Sequence, residues 1–303
     1  MSVIPVTHYP IGNQRQFAVN RERVQGKPYA KYFNGELWLH DDVLPAIREP
    51  MPIAEALDLT PDALNTLLEP GYHQVENGFC ELPDGTAYTA SLVPFPGCTG
   101  EMFQWWFWWH SVEPARYTIW YPYSHISANP LDRDVLTAPG LTHEQRYIGN
   151  THRVTECIGS RLVRISIRFV DPSELGFDTS RFAAADIVGH ACAEVSLLRP
   201  DLPLTTMVHL ARRTENGMEL RSRYWTGHQM RLNLLGRSLS LPLDGLLSSL
   251  GLKRRLVGLP VAYDQLLHDQ IEWTHLSSFL AEIYREFGQQ DAAQDTGHGD
   301  ENS

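Results

Sequence analysis

His268 and Glu272 lie four residues apart inside 262–287, a stretch without Pro or Gly that reads as one helix of about 39 Å at 1.5 Å per residue. That spacing sets both side chains on one face, and the stripe continues through His275, Phe279 and Ile283. A carboxylate and an imidazole on a stripe that otherwise buries Phe and Ile need a partner, because an unpaired buried charge is costly. A divalent metal satisfies both groups, and imidazole nitrogen with carboxylate oxygen is an acceptable donor set for zinc. The further donors on offer are His110, His125, His152 and Glu156. His152 and Glu156 repeat the four-residue spacing and would also share a face in a strand, so composition and spacing leave the choice of ligands open.

A second feature stands beside these residues. Residues 104–125 read QWWFWWHSVEPARYTIWYPYSH, with Trp105, Trp106, Phe107, Trp108 and Trp109 unbroken by any polar residue. Every face of such a segment must find apolar cover, and 105–109 reads as the wall of a core or of an aromatic cavity. Its far end is different. Tyr117, Tyr121, Tyr123 and His125 bring hydroxyls and an imidazole to that apolar wall, the composition of a small-molecule pocket.

The elements that must carry these groups are mixed. Residues 1–78 are rich in Pro and irregular, with one helix signal where Thr60-Pro61-Asp62 precedes Ala63, Leu64, Leu67 and Leu68. Pro83-Asp84-Gly85 between β-prone runs predicts a hairpin, and 163–169 alternates apolar and polar as a strand with one wet face. Asn216-Gly217 predicts a second hairpin; with those two as the turn, facing residues sum to 433, which opposes His209 to Tyr224 and Arg212 to Arg221. Residues 236–258 predict a loop with a short helix that could act as a lid. The polar, acidic segment 289–303 predicts a disordered tail.

Composition narrows the function. A formal charge of -11 with one short basic run, Lys253-Arg254-Arg255, excludes an electrostatic nucleic-acid surface, and that run reads as a solvated loop. The start lacks the basic flank and apolar core of a signal peptide and no run is long enough to span a bilayer, so a soluble, cytoplasmic protein is expected. Cys80, Cys98, Cys157 and Cys192 are scattered without a CxxC pair and read as reduced, partly buried thiols.

The chain from about Glu81 to Tyr284 resembles the family of 2,4-diacetylphloroglucinol hydrolase and phloretin hydrolase. The resemblance rests on WWFWWHSVEPARYTIWYPYSH, then Glu156, then His209 and Tyr224, then HDQIEWTHLSSFLAEIY. It implies an α+β fold of the helix-grip kind, similar to the birch-pollen allergen class: a curved antiparallel sheet around a long C-terminal helix. The domain would span 79–288, after the irregular, partly helical region 1–78. It implies zinc held by His125, Glu156, His268 and Glu272, and a small-molecule phenolic ketone as substrate. The reaction would be hydrolysis of the carbon-carbon bond between an acyl group and a polyhydroxylated ring, releasing a carboxylic acid. Tyr117, His209 and Tyr224 fall on the positions of substrate-contacting and catalytic residues, and a homodimer follows by analogy. Asn129 is the counterpart of a substrate-binding asparagine, one residue further along than the pattern places it. Tyr121, Tyr123 and Ser124 stand where the pattern has acidic residues, which implies a different ring substitution or acyl chain.

Two other readings share these residues. A related zinc enzyme acting on another β-diketone or aromatic polyketide would keep the site and change the product. A non-catalytic carrier of aromatic ligands would keep the cavity and have no use for four metal ligands.

Overall fold

The computed structural model describes residues 2–199, 201–228, 230–234 and 239–296. Nine strands form one antiparallel sheet: β1 (Gly78–Glu81), β2 (Ala87–Pro96), β3 (His125–Pro130), β4 (Thr151–Ile158), β5 (Arg161–Phe169), β6 (Ile187–His190), β7 (Ala193–Leu198), β8 (Asp201–Thr214) and β9 (Gly217–Thr226). Their order is β1-β2-β9-β8-β7-β5-β4-β3, with β6 also paired to β8. Four helices frame the interior of this sheet: α1 (Ile11–Val24), α2 (Gly100–Val112), α3 (Pro114–Trp120) and the C-terminal α4 (Leu259–Thr296). The sheet curls around α4, which packs against β1 and β2 on one side and β4 on the other. This is the α+β helix-grip arrangement.

Local sequence explains the elements. Thr60 caps its helix by accepting from the Ala63 N–H, with Pro61 in the first turn, and Thr99 caps α2 by accepting from Met102 N–H at 3.4 Å. The Pro83-Asp84-Gly85 turn joins β1 to β2 as expected, with Glu81 opposite Ala87 and Gly85 at φ +86. Helix α4 runs past the expected end at Phe287 to Thr296, and 297–303 lies outside the described residues. The region 1–78 is a mixture of short elements, among them α1 and a two-stranded pairing of Val3–Pro5 with Trp38–His40.

The Asn216-Gly217 register is corrected. The turn residues are Glu215 and Asn216, Thr214 pairs with Gly217, and facing residues sum to 431: His209 opposes Ser222, Met207 opposes Tyr224, and Arg212 opposes Glu219. Gly217 serves a close approach rather than the turn. A Cβ there would sit 2.4 Å from the Phe95 carbonyl oxygen of the neighbouring β2, and its φ of +144 suits glycine. The shift also removes the unfavourable Arg212–Arg221 pairing, since Arg212 now bonds Glu219 at 2.7 Å.

Two further expectations change. The sheet is wet where Leu162 on β5 is 52 % exposed, but the outer faces of β8 and β9 are covered. There Val208, Leu210 and Trp225 bury a second core against Leu64, Leu67 and Leu68 from the N-terminal region. Lys253 is no part of a solvated loop: it is fully buried with Nζ 2.8 Å from Asp84 Oδ2, while Arg254 Nε lies 3.0 Å from Glu81 Oε1. Both carboxylates belong to the β1–β2 hairpin region, so the basic run fastens the short helix Leu252–Val257 to the sheet. All four cysteines are buried free thiols. Among the described residues no helix is long and apolar enough to cross a membrane.

Candidate active site

Four side chains from three elements converge inside the grip. His125 opens β3 directly after the turn that ends α3, and Glu156 faces it across the β3–β4 ladder. His268 and Glu272 project from one face of α4. His125, Glu156 and His268 each bring a donor atom to within 4.8 Å of the others, a group that could hold a metal ion. Glu272 joins them: its Oε2 is 3.1 Å from His125 Nε2 and 3.6 Å from His268 Nε2, and Glu156 Oε2 is 3.7 Å from His125 Nε2. All four are buried.

The surrounding hydrogen bonds fix how the imidazoles point. His125 Nδ1 lies 3.2 Å from the Tyr117 carbonyl, which only accepts, so that nitrogen carries the proton and Nε2 faces the cluster as a lone pair. His125 Nε2 is buried and has no hydrogen-bond partner among the described residues. Ser124 sets His268 in the same way: its hydroxyl donates to the Cys157 carbonyl at 2.5 Å, leaving its oxygen to accept from His268 Nδ1 at 3.4 Å. Both rings therefore offer Nε2 inward, the form in which imidazole binds a metal.

Electrostatics points the same way. Burial, reinforced by His268, holds His125 well below its ordinary value and hence neutral. Burial pushes Glu272 up to about 8 in spite of His268 beside it. His268 is the opposite case, because burial would lower it, yet Glu272, Glu156 and Asp269 together raise it to about 9. Two buried carboxylates with one neutral imidazole thus call for a positive charge among them, and a proton on His268 is the alternative to a cation.

Beside the cluster lies a cavity of about 330 Å³. The inward residues of β4 and β5, alternating as a strand requires, supply Val154, Val163, Ile165 and Ile167 to its wall, and Leu202, Leu204 and Met207 come from β8. The polar groups beside the cluster are Tyr117, Glu156, His209, Tyr224, His268 and Glu272, with His110 and His152 further along, while Arg161, Asp264 and Gln265 line the cavity near the β4–β5 turn. An apolar chamber with a few converging polar groups beside a donor cluster is the form of a small-molecule site.

Residues 59–285, which hold all of this machinery, match the family model described as the DAPG hydrolase PhiG domain. The chain belongs to the DAPG hydrolase family. Two relatives named 2,4-diacetylphloroglucinol hydrolase, from Pseudomonas protegens and a Pseudomonas species, are each 37 % identical over 95 % of this chain and over 93 % and 97 % of their own lengths. Phloretin hydrolase of Eubacterium ramulus is 28 % identical over 85 % of this chain and 89 % of its own. The structure of Ara h 8.0201 overlaps 61 % of this chain and 99 % of its own at 10 % identity, with a TM-score of 0.29.

In this DAPG hydrolase family member the polar wall is organised around Tyr117 and Tyr224. Tyr117 donates a short hydrogen bond to Glu156 Oε2, and its ring stacks on His125 at 3.9 Å. Tyr224 donates to Asp269 Oδ1, and His209 Nε2 lies 3.3 Å from the Tyr224 oxygen. His209 and Tyr224 meet as the sequence suggested, although diagonally across the β8–β9 ladder rather than face to face. The far nitrogen of His209 is 2.7 Å from Ser222 Oγ.

Other expected residues lie elsewhere. Asn129 is exposed, because β3 alternates and it is Ala128 that turns into the cavity. Of residues 105–109, Phe107 alone lines the cavity, so the wall reading is corrected to a core reading for the four tryptophans. Trp105, Trp106 and Trp109 fill the main core between α2 and α4, and Trp108 stacks on His143 with its N–H bonded to the Leu136 carbonyl. Tyr123 stacks on Tyr9 at 3.7 Å, away from the cavity. His275 bonds the Trp120 carbonyl at 2.8 Å and supports the wall from behind. In 236–258, residues 236–238 lie outside the described residues, while Leu256 and Val257 line the cavity.

Three contributors escaped the sequence reading. Asp269 is fully buried, accepts from both Tyr224 and Trp273 Nε1, and has its carboxyl raised by burial against the opposing pull of Ser91, Tyr224 and Trp273. Its i,i+4 spacing to Trp273 was the available signal. Ser124 was noted only as a departure from a pattern. Asn20 of α1 donates to the carbonyls of Pro122 and His125 at 2.9 and 2.7 Å, so the N-terminal region braces the loop that carries His125.

Proposed function

We propose that this protein is a zinc-dependent hydrolase that cuts the carbon-carbon bond between an acyl group and a polyhydroxylated aromatic ring, converting an acylphloroglucinol-type ketone and water into a carboxylic acid and the free arene. The observation that carries the reading is the convergence of two Nε2 lone pairs and two carboxylates beside an apolar cavity with two tyrosine hydroxyls. The orphaned His125 Nε2 and the two buried carboxylates fit a divalent cation, with His125, Glu156, His268 and Glu272 as its holders. When bound, zinc supplies Lewis acidity to the acyl carbonyl and lowers the pKa of a water nucleophile.

The protein's own groups do the rest. The cavity removes the ketone from bulk water and presents its acyl carbon to the donor cluster. Tyr117 and Tyr224 hold ring hydroxyls, which lets the ring accept the electron pair as the bond to the acyl carbon breaks. The Tyr224 proton is held by Asp269 Oδ1, so its oxygen, fixed from the other side by the His209 N–H, accepts from a ring hydroxyl, and the ring carbon takes its proton from the water that is split. Burial keeps His209 near 3, so it acts as a neutral donor. Ser222 holds it in that orientation.

The test is to measure bound zinc in wild type and His268→Ala, then assay both on a panel of acylphloroglucinols for release of the carboxylic acid. Near-stoichiometric zinc with acid release in wild type, and loss of both in the variant, is expected. Zinc without hydrolysis across the panel would refute the reaction and leave the site; absence of metal in freshly purified protein would refute both.

A further inference from the structure

Two buried histidines of the cavity take no part in the chemistry above. His110 and His152 line it and are 3 % and 1 % exposed. His110 Nδ1 is 2.7 Å from the Trp106 carbonyl, one turn back on α2, so Nδ1 carries the proton and Nε2 is an acceptor. His152 is set by Ser111. The Ser111 hydroxyl gives its proton to the Phe107 carbonyl at 2.6 Å, so its oxygen accepts from His152 Nδ1 at 3.5 Å. That leaves His152 Nε2 an acceptor, and it has no hydrogen-bond partner among the described residues.

Both rings are neutral: burial lowers His110 to about 4 and His152 to about 3, with His110 adding to the effect on His152. The device is the one that presents His125 and His268 to the donor cluster, repeated where no carboxylate faces it. A buried acceptor without a partner is costly, so its complement is a ligand that brings a donor.

Position indicates which donor. His152, Val154 and Glu156 are successive inward positions on β4, which sets His152 and Glu156 four residues or about 13 Å apart at 3.3 Å per residue. Val154 lies between them, and on the His152 side stand Phe169, with its ring centroid 5.0 Å from that of His152, and Phe107, 5.6 Å from Phe169. Val163 stands directly opposite Glu156, and beyond it, towards the β4–β5 turn, Ile158 lines the cavity together with Arg161, Asp264 and Gln265. The His152 side, walled by Phe107 and Phe169 with Ile165 and Ile167 on the facing strand, is thus the apolar side of the cluster and takes the aromatic ring, with the acyl group directed towards the Ile158 side.

We propose that His152, with His110 beside it, is a hydroxyl-reading subsite: it accepts a hydrogen bond from a free ring hydroxyl opposite the acyl group, restricting the ligand class to arenes that carry one there. The placement of the acyl group rests on the proposed function; the acceptor subsite does not.

The test uses two ligands that cannot undergo the carbon-carbon cleavage, 2,4,6-trihydroxybenzamide and 2,6-dihydroxybenzamide, which differ only in the hydroxyl opposite the carbonyl carbon. Dissociation constants are measured by calorimetry on zinc-replete protein. Wild type is expected to favour the trihydroxy ligand by about tenfold or more, the scale of one buried hydrogen bond. His152→Leu should bring the ratio to within about twofold of unity with zinc content unchanged, and His152→Asn, which retains an acceptor, should restore part of it. Equal binding of the two ligands by wild type overturns the proposal, as does a full ratio in His152→Leu. If the leucine variant does not fold, Ser111→Ala, which frees the His152 tautomer, must lower the ratio, and an unchanged ratio there overturns it. Failure of wild type to hydrolyse acylphloroglucinols would count against the proposed function alone, since neither ligand reports on cleavage.

Discussion

Ser124→Ala separates the orientation of a metal-binding imidazole from the presence of one. In the folded protein the Ser124 hydroxyl is fully buried, donates to the Cys157 carbonyl at 2.5 Å and accepts from His268 Nδ1 at 3.4 Å. Removing it keeps every proposed ligand but releases the His268 ring: the proton that Ser124 held on Nδ1 can move to Nε2, where it blocks the lone pair, and the ring can rotate. Loss of such a partner typically costs tenfold to a hundredfold in metal affinity. The 3.4 Å contact is longer than an ordinary N–H···O bond, so the low end applies, about tenfold or about 1.4 kcal/mol. A second, separate cost falls on the metal-free protein. The Cys157 carbonyl loses its hydroxyl partner in a buried setting, about 1 kcal/mol of folding stability.

The assay is competition for zinc against a chromogenic chelator, paired with urea unfolding of the metal-free form. Ser277→Ala is the control, since that hydroxyl only donates to the Thr274 carbonyl one turn back on α4. The expected pattern is a zinc dissociation constant about tenfold weaker in Ser124→Ala and unchanged in the control. An unchanged zinc constant alongside a lower urea midpoint would refute the tautomer argument and reduce Ser124 to a tie between the α3–β3 turn and β4.

Glu76 lies between Arg221 and Arg223, with Oε1 and Oε2 2.5 and 2.6 Å from them. Burial alone would raise its carboxyl, but the two guanidiniums outweigh it and hold it down to about 2 from an ordinary 4.5, equivalent to about 3 kcal/mol at about 1.4 kcal/mol per tenfold change in proton affinity. A depressed carboxylate stabilises above its unfolded pKa, so this contribution is complete above about pH 4.5 and is lost as pH falls towards 2. Urea unfolding from pH 6 to pH 3 should show the loss, and Glu76→Gln should be about 3–5 kcal/mol less stable at pH 7 and lose that part of the pH dependence. Asp269→Asn should keep its zinc and lower kcat about tenfold to a hundredfold, because Tyr224 loses a charged acceptor; zinc analysis with steady-state kinetics checks both halves. Gly100→Ala should be destabilised by about 1–3 kcal/mol in thermal or urea unfolding, since its Cβ would meet the Val188 carbonyl oxygen at 2.0 Å, a backbone atom on β6 that cannot rotate away.

The helix-grip outline was legible because its signals are local. A Pro-free and Gly-free run of that length reads as one long helix, and the alternation at 163–169 survives directly as the cavity wall of β5. Register was not legible to the same precision. Asn-Gly signals a tight turn, but here the glycine is demanded by the third strand, whose Phe95 carbonyl leaves no room for a Cβ at 217. That contact comes from a strand far away in sequence, and no two-strand rule contains it. The tryptophan block was ambiguous for a related reason: a helix apolar on every side must be covered, but whether by protein or by ligand depends on α4, which contributes Phe279 and Trp273 to the same packing.

The site shows where pattern stops and geometry begins. His268 and Glu272 could be nominated from spacing, with His152 and Glu156 as an equal rival until the family resemblance chose between them, but the roles of Ser124, Ser111 and Ser222 are invisible in a sequence, because each acts by holding one nitrogen of a histidine that reaches it only after folding. The three cases share a logic. Ser124 and Ser111 each spend their proton on a backbone carbonyl and so can only accept from the imidazole, which turns both histidines into inward-facing acceptors. The Ser222 hydroxyl has no such carbonyl partner among the described residues and is free to donate to His209 Nδ1, which leaves the proton on Nε2 towards Tyr224. A serine beside a buried histidine thus decides whether that ring accepts or donates. The difference follows the division of labour: acceptors where a cation or a hydroxyl is to be received, and a donor where the Tyr224 oxygen must be held.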